Sequence, residues 1–332
     1  MNKKRYRLLY SIFSITIFSV IMFSAPFSTS ALVGSDVIAE ITPEIPGPNE
    51  EVTIRLTSYA IDLNSSLITW KVSGKTVLSK NGAVSYTLNS GASGSKTTVE
   101  ATVVFRGSTL VKTILIEPST VDLIWEAVDS YTPPFYKGKA LPSSEAVIKI
   151  VGVPDMKVGG TKLSKEDLTF SWERNFSALP AFSGYAKDSF IFKTSYLNTT
   201  ETISLKTSAI SGGLSAQKIS TIRTSSPFII FYEYNPLSGI NYKKNLGEYF
   251  SLDKDEATIV AEPYFFSPKN ALSLDLEYEW KINGTRIANQ DPKNTLVVRK
   301  PAGAIGNAFI NLSIESKPRL FQSAEKTLNI NL

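Results

Sequence analysis

Few residues of this chain could do chemistry, and the strongest reagents are missing. There is no cysteine and no histidine. That removes the thiolate nucleophile, the commonest general base and the commonest zinc ligand. Gly74-Lys75-Thr76 has the ending of a phosphate-binding loop, but such a loop needs another glycine five residues before Gly74, where Thr69 stands. A hairpin turn is the expectation there. Ser93-x-x-Lys96 has the residue types of a Ser–Lys nucleophile pair, which must be locked within hydrogen-bond reach. It lies in Ser90-Gly91-Ala92-Ser93-Gly94-Ser95-Lys96, a loop by composition. Carboxylate pairs for glycoside hydrolysis must converge across a cleft, whereas acids here are scattered singly. The densest group is Asp253-Lys254-Asp255-Glu256. Its oxygens suit Ca²⁺ by type, but the spacing matches no calcium loop. A solvated turn is the expectation, with a calcium site as the alternative. No catalytic residue, cofactor-binding residue, cofactor or metal ligand is assigned.

One segment could bind rather than react. Tyr131, Pro133, Pro134, Phe135 and Tyr136 crowd into Tyr131-Thr132-Pro133-Pro134-Phe135-Tyr136. Exposed aromatics stack on sugar rings or anchor a protein partner, so these five are the candidate partner-binding residues, for an unspecified protein or a surface glycan. The competing and favoured reading packs them over the joint between the first two domains. Five Asn-x-Ser/Thr triplets, beginning at Asn64, Asn175, Asn198, Asn283 and Asn311, read as incidental to a Ser/Thr/Asn-rich surface.

The elements that must position these residues are strands. Val52-Thr53-Ile54-Arg55-Leu56, Thr98–Val103 and Leu110–Ile116 alternate apolar and polar residues, the mark of strands with one buried face. Trp70, Trp172 and Trp280 sit mid-strand in Leu67–Gly74, Leu168–Asn175 and Leu276–Gly284, at intervals of 102 and 108 residues. That interval is about one small β-sandwich, and the three tryptophans are expected core residues. Each repeat has a strand leading to its tryptophan strand: Val52–Leu56, Ala146–Val151 and Ala257–Ala261. Ser73-Gly74 and Asn283-Gly284 close the tryptophan strands with residues that tolerate positive φ. In the middle repeat Phe176 follows Asn175, so a different turn is expected there.

Charge excludes one function class. Of a net +5, Lys3, Lys4, Arg5 and Arg7 supply four charges in an acid-free leader, and the rest of the chain is near neutral. No basic face for nucleic acid is implied. The basic start, the apolar run Leu8–Phe23 and the small residues Thr29-Ser30-Ala31 read as a secretory signal over 1–31, cleaved after Ala31 or kept as an anchor. A membrane contact is expected only through that segment. No sortase-type motif or apolar C-terminal tail is read.

The joints repeat too. Glu117–Glu126, which contains Trp125, and Thr224–Glu233, which contains Phe231-Tyr232, join the repeats. Each is followed by a Tyr/Pro segment and then a basic loop, Tyr136-Lys137-Gly138-Lys139 and Tyr242-Lys243-Lys244. Neither joint has the Gly/Ser run of a flexible linker. Docked neighbours forming a bent rod of roughly 100 Å are therefore expected.

The Trp-x-x-[Ser/Asn]-Gly turn resembles the third strand of PKD-like and related bacterial surface modules. The chain as a whole, through Pro43-x-x-Pro46-Gly47-Pro48, Asp122–Ala127 and Tyr131–Pro142, resembles a group of exported Ig-like repeat proteins of uncultured, small-genome bacteria. The resemblance implies export and a sandwich fold, and it brings no catalytic residue.

The expected fold is all-β: a signal peptide (1–31) and three tandem, disulfide-free immunoglobulin-like β-sandwiches at 34–118, 119–225 and 226–332. The expected function is that of an exported, non-enzymatic structural or adhesive protein of the cell envelope or surface. The alternative is a carbohydrate- or peptide-binding module that uses Tyr131–Tyr136.

Overall fold

The computed structural model describes residues 37–288, 291–303 and 305–332. The expected signal segment lies outside the described residues. The described chain is all-β, with one three-residue 3₁₀ turn at Lys165–Asp167.

The first repeat contributes β1 (Ile38–Thr42), β2 (Glu51–Thr57), β3 (Leu67–Val72), β4 (Lys75–Asn81), β5 (Ser85–Asn89), β6 (Thr97–Phe105) and β7 (Ser108–Ile116). The second contributes β8 (Thr120–Ala127), β9 (Val147–Asp155), β10 (Lys157–Val158), β11 (Thr161–Lys162), β12 (Leu168–Arg174), β13 (Ser177–Ala178), β14 (Gly184–Tyr185), β15 (Ser189–Lys193), β16 (Thr200–Ala209) and β17 (Ser215–Arg223). The third contributes β18 (Phe228–Asn235), β19 (Gly239–Asn245), β20 (Tyr249–Ser251), β21 (Glu256–Tyr264), β22 (Leu276–Ile282), β23 (Thr285–Ile287), β24 (Thr295–Arg299), β25 (Asn307–Ser316) and β26 (Ser323–Asn331).

Strand order repeats with the tryptophans. One sheet runs β1–β2–β5, then β8–β9–β15, then β18–β21–β24 with β19 added outside β18. The other runs β4–β3–β6–β7, then β13–β12–β16–β17, then β23–β22–β25–β26 with β20 added outside β26. These are tandem immunoglobulin-like two-sheet domains, in which inward residues of both sheets make the core.

By contact density the chain divides into two compact units. One holds the described residues to Glu40 with Ile54–Tyr86 and Thr98–Ile114; the other holds Ile41–Thr53, Thr87–Thr97 and Leu115–Leu332. In the first unit Trp70 is fully buried with Ile68, Val99 and Ala101. Its indole N–H donates to the Ala83 carbonyl at 2.8 Å, and its ring stacks on Tyr86.

The second unit holds two further cores. Trp172 packs with Phe170, Phe190, Ile203 and Leu205, and Trp280 with Phe231, Ile259, Ile310 and Leu328. Their indoles donate to the Lys187 and Lys293 carbonyls, each at 2.9 Å. A buried indole N–H needs such a partner, and all three repeats supply it from the main chain 13 to 15 residues on.

Two expectations are corrected here. The middle turn is of the same kind as the others: Asn175 and Phe176 have φ of 50° and 64°, beside 48° and 80° for Ser73-Gly74 and 46° and 80° for Asn283-Gly284. Asn175 holds it in place. Its Oδ1 accepts from Thr202 N at 2.9 Å and its Nδ2 donates to Glu201 at 2.7 Å. Trp125 is not a joint residue. It lies on β8 opposite Ile150, half-buried against the second core, with Lys139 Nζ 3.1 Å from its ring centre.

Candidate functional site

The loop between β8 and β9 carries the five candidate partner residues, and it does not pack over the first joint. β8 pairs antiparallel with β9 from Thr120↔Asp155 to Ala127↔Ile148. Its eight residues span about 27 Å and carry the chain to the other end of the second domain. There the loop meets the third domain. Asp129 Oδ1 accepts from Val147 N at 2.8 Å, and the fully buried Ser130 hydroxyl donates to the Leu141 carbonyl at 2.6 Å. These bonds close the loop on itself.

Tyr131 then joins the two domains. Its N–H donates to the Phe266 carbonyl and its carbonyl accepts from Phe265 N, both at 2.8 Å. Its hydroxyl donates to Glu262 Oε2 at 2.5 Å, while Tyr242 donates to Oε1 at 2.8 Å. Glu262 is 2% exposed. Burial pushes its carboxyl above the ordinary carboxylate range, and the two phenol donors oppose that push without cancelling it. Burial, then the hydrogen bond to Glu262, raises both phenols.

Aromatic rings complete this side of the joint. Phe228 stacks on Tyr264 at 4.9 Å, and Tyr136 meets Tyr264 and Phe265 edge-on at 5.6 and 6.1 Å. The Tyr232 and Tyr264 hydroxyls bond to each other at 2.8 Å. Pro133 is buried and Pro134 exposed. Phe135 is different: it has φ 64°, is 86% exposed, and its ring lies 6.2 Å from that of Tyr242. Beside it opens a cleft of about 650 Å³ lined by Phe135, Ser238, Ile240, Asn241, Tyr242 and Lys243. Tyr131 and Pro133 therefore belong to the joint and Pro134 and Phe135 to the surface, while Tyr136 belongs to both, packed on Tyr264 and Phe265 yet 38% exposed.

The other side of the joint is polar. Between β25 and β26, Arg319 donates to Asp129 Oδ2 at 3.0 Å and to the Glu145 carbonyl. Leu320 N donates to Glu145 Oε2 at 3.2 Å. Gln322, 1% exposed, donates to the Ser144 carbonyl at 2.6 Å and accepts from Ser267 N at 2.8 Å. Tyr196 and Phe321 stack at 5.8 Å.

Glu262, Tyr242, Arg319 and Gln322 were not among the expected site residues. One signal was present: Glu262 is the only charge in Ala257–Phe266, an apolar run that predicts a buried strand. Arg319 and Gln322 lie in a loop whose reach depends on how two domains meet, and no local pattern marks them.

The remaining candidates are occupied otherwise. Lys75 begins β4 in a two-residue hairpin, opposite Val72. Ser93 donates to the Asp155 carbonyl at 3.4 Å and Lys96 pairs with Glu117 at 3.2 Å. Asp253 accepts from Ser251 at 2.8 Å and Glu256 from Arg299 at 2.5 Å. Among the described residues no group of three acids could hold a metal ion, and no helix is long and apolar enough to cross a membrane.

No protein-family model and no curated protein matches the sequence. Solved structures of tandem sandwiches do. The three N-terminal domains of the bacteriophage RB49 Highly Immunogenic Outer Capsid protein (Hoc) align with 10% identity and a TM-score of 0.26, covering 89% of this chain and 97% of that one. The central fibronectin-III array of RIM-binding protein aligns with 12% identity and a TM-score of 0.30, over 89% and 95%. The Clostridium thermocellum CbhA fibronectin(III)-like modules align with 12% identity and a TM-score of 0.29, over 57% and 94%. Likenesses of this size say nothing of function.

Proposed function

We propose that this chain is an exported, non-enzymatic structural or adhesive protein whose second and third domains act as one rigid element. The observation that carries the proposal is the double attachment of the β8–β9 loop: Tyr131 to Glu262, Phe265 and Phe266 on one side, and Arg319 to Asp129 and Glu145 on the other. A buried acid of raised pKa is a common catalytic base, but both Glu262 oxygens are taken by phenols that serve the joint. Export rests on the basic-apolar leader.

Hydrogen exchange on the full chain tests the rigid element. Backbone amides of Tyr131 and Phe265 should exchange as slowly as those of β12 and β22. Exchange at the rate of a free loop would overturn it. Cell fractionation with mass spectrometry of the mature N-terminus tests export, and an intact Met1 on a cytosolic protein would end that part.

A second reading is favoured by Phe135. An 86% exposed aromatic beside a cleft of about 650 Å³ suits a carbohydrate- or peptide-binding module. Tyr131 has no part in it, since its hydroxyl is already used.

A further inference from the structure

We infer that the outer edge of β19, together with Phe135, is a docking groove for an extended acidic peptide; this deepens the second reading above. β19 is the last strand of its sheet, and no strand among the described residues pairs with its outer side. Such an edge offers backbone donors and acceptors to an added strand. Its pairing with β18 is also broken. Tyr234 stands opposite Ile240 and Tyr232 opposite Asn245, so residues 241–244 face the single β18 residue Glu233. The segment that bulges is the one that lines the cleft.

The groove has the period of a strand. Along β19, Ile240 and Tyr242 are half-buried, while Asn241 and Lys243 are exposed. A peptide laid beside it would set alternate side chains against the apolar face of Ile240, Tyr242 and Phe135, and the others beside Lys243. The unpaired backbone edge of β19 can be matched along its length by a peptide main chain, which favours a peptide over a glycan.

Charge selects the kind of peptide. Lys137, Lys243 and Lys244 are exposed, and none has an ion-pair partner among the described residues. Lys139 lies over Trp125, with Glu126 as its nearby acid. Of the other acids on these elements, Glu233 is half-buried, Glu262 is enclosed between Tyr131 and Tyr242, and Asp129, Glu145 and Glu256 are paired with Arg319, Lys193 and Arg299. The rim is therefore positive, and alternating apolar and acidic residues would complement both faces.

The test uses the full chain, isotopically labelled, with three probes: acetyl-(Val-Glu)₄-amide, acetyl-(Val-Lys)₄-amide and polygalacturonate. The glutamate peptide should bind saturably and shift the backbone amides of β19. Phe135→Ser and the pair Lys243→Glu/Lys244→Glu should each weaken it by at least about tenfold, with the melting point of each variant showing that the fold is kept. Equal binding of the lysine peptide, or no movement of the β19 amides, would overturn the inference. Phe135-dependent binding of polygalacturonate alone would overturn the peptide and leave the binding-module reading standing. Silence from all three probes would remove both.

Discussion

The Tyr131 hydroxyl lies 2.5 Å from Glu262 Oε2, across 131 residues of sequence. The bond ties a loop of the second domain to the sheet of the third. It also explains how a carboxylate survives at 2% exposure with no ion-pair partner among the described residues. Two phenol donors replace the water that burial removed, and charge-assisted bonds of this kind are short and strong. The arrangement holds the joint and makes it sensitive to pH.

That sensitivity has a definite sign. Burial raises the Glu262 pKa above its ordinary value, so between the unfolded and folded values the folded chain holds the proton more tightly. The stability this contributes is full below the unfolded pKa and lost as pH rises through the folded one. Glu201 behaves in the opposite way. Burial would raise its pKa, but the bonds from Arg174, Ser195 N and Asn175 outweigh that and hold it low. Its contribution is lost as pH falls through the lowered value. The two are separated by subtraction. Glu262→Gln keeps one tyrosine bond and reverses the other, its Nε2 donating to that phenol oxygen, without burying a charge, so its stability relative to the wild type in thermal unfolding should grow from pH 4 to pH 8. A constant difference across that range would show that Glu262 does not titrate with folding.

Arg319 holds the polar side of the same joint. Its side chain and that of Asp129 are each 18% exposed, so removing the guanidinium leaves a largely buried acid and an unpaired carbonyl. Arg319→Ala should cost about 1–3 kcal/mol and speed hydrogen exchange at Asp129–Ala146 while leaving β12 and β16 unchanged. Arg319→Lys should not restore protection, because an ammonium cannot reach both partners with the fork of a guanidinium. Wild-type exchange in Arg319→Ala would place the strength of the joint elsewhere.

How much of this was legible in the sequence follows from what each signal depends on. Period-two alternation reports one buried face, so Val52-Thr53-Ile54-Arg55-Leu56 could be placed in a strand, and it lies inside β2. The destination of Tyr131–Tyr136 depends on β8 carrying the chain the length of a domain, and repeat spacing cannot show which end a loop reaches. The Asn175-Phe176 turn misled because glycine is only the easiest residue at positive φ, not the only one. The bonds from Asn175 to Thr202 and Glu201 make up the difference, and they become visible only once β16 lies beside β12.

Phe176 is therefore a site of removable strain. It holds φ 64° with 87% of its surface exposed, so its ring contributes little packing to set against the cost of the left-handed region. Phe176→Gly should raise stability by about 0.5–1 kcal/mol, the relief being partly offset by the added freedom of glycine in the unfolded chain. Chemical denaturation would measure it. A destabilised variant would mean that the Phe176 ring makes a stabilising contact.

The acidic turn makes a simple negative prediction. Asp253 is bonded to Ser251, and Glu256 is paired with Arg299, so the carboxylates do not converge on one point. A chelator should leave the melting point unchanged. A fall of several degrees, restored by Ca²⁺, would show a site in which these side chains rearrange.

The tryptophans allow packing and hydrogen bonding to be separated within one residue. Trp172 meets Phe190 edge-on at 5.0 Å and donates to the Lys187 carbonyl at 2.9 Å. Trp172→Ala removes both and should cost about 3–5 kcal/mol. Trp172→Phe keeps a ring between the sheets but leaves that carbonyl without its donor, so it should cost roughly 1–3 kcal/mol. The same pair of changes at Trp280, whose donation to Lys293 has the same length, should give the same ordering, because the sandwich places both indoles alike. If Trp172→Phe proved as costly as Trp172→Ala, the indole N–H would outweigh the packing. If it cost nothing, a benzene ring would suffice there, and neither the indole N–H nor the larger volume of the indole would be needed.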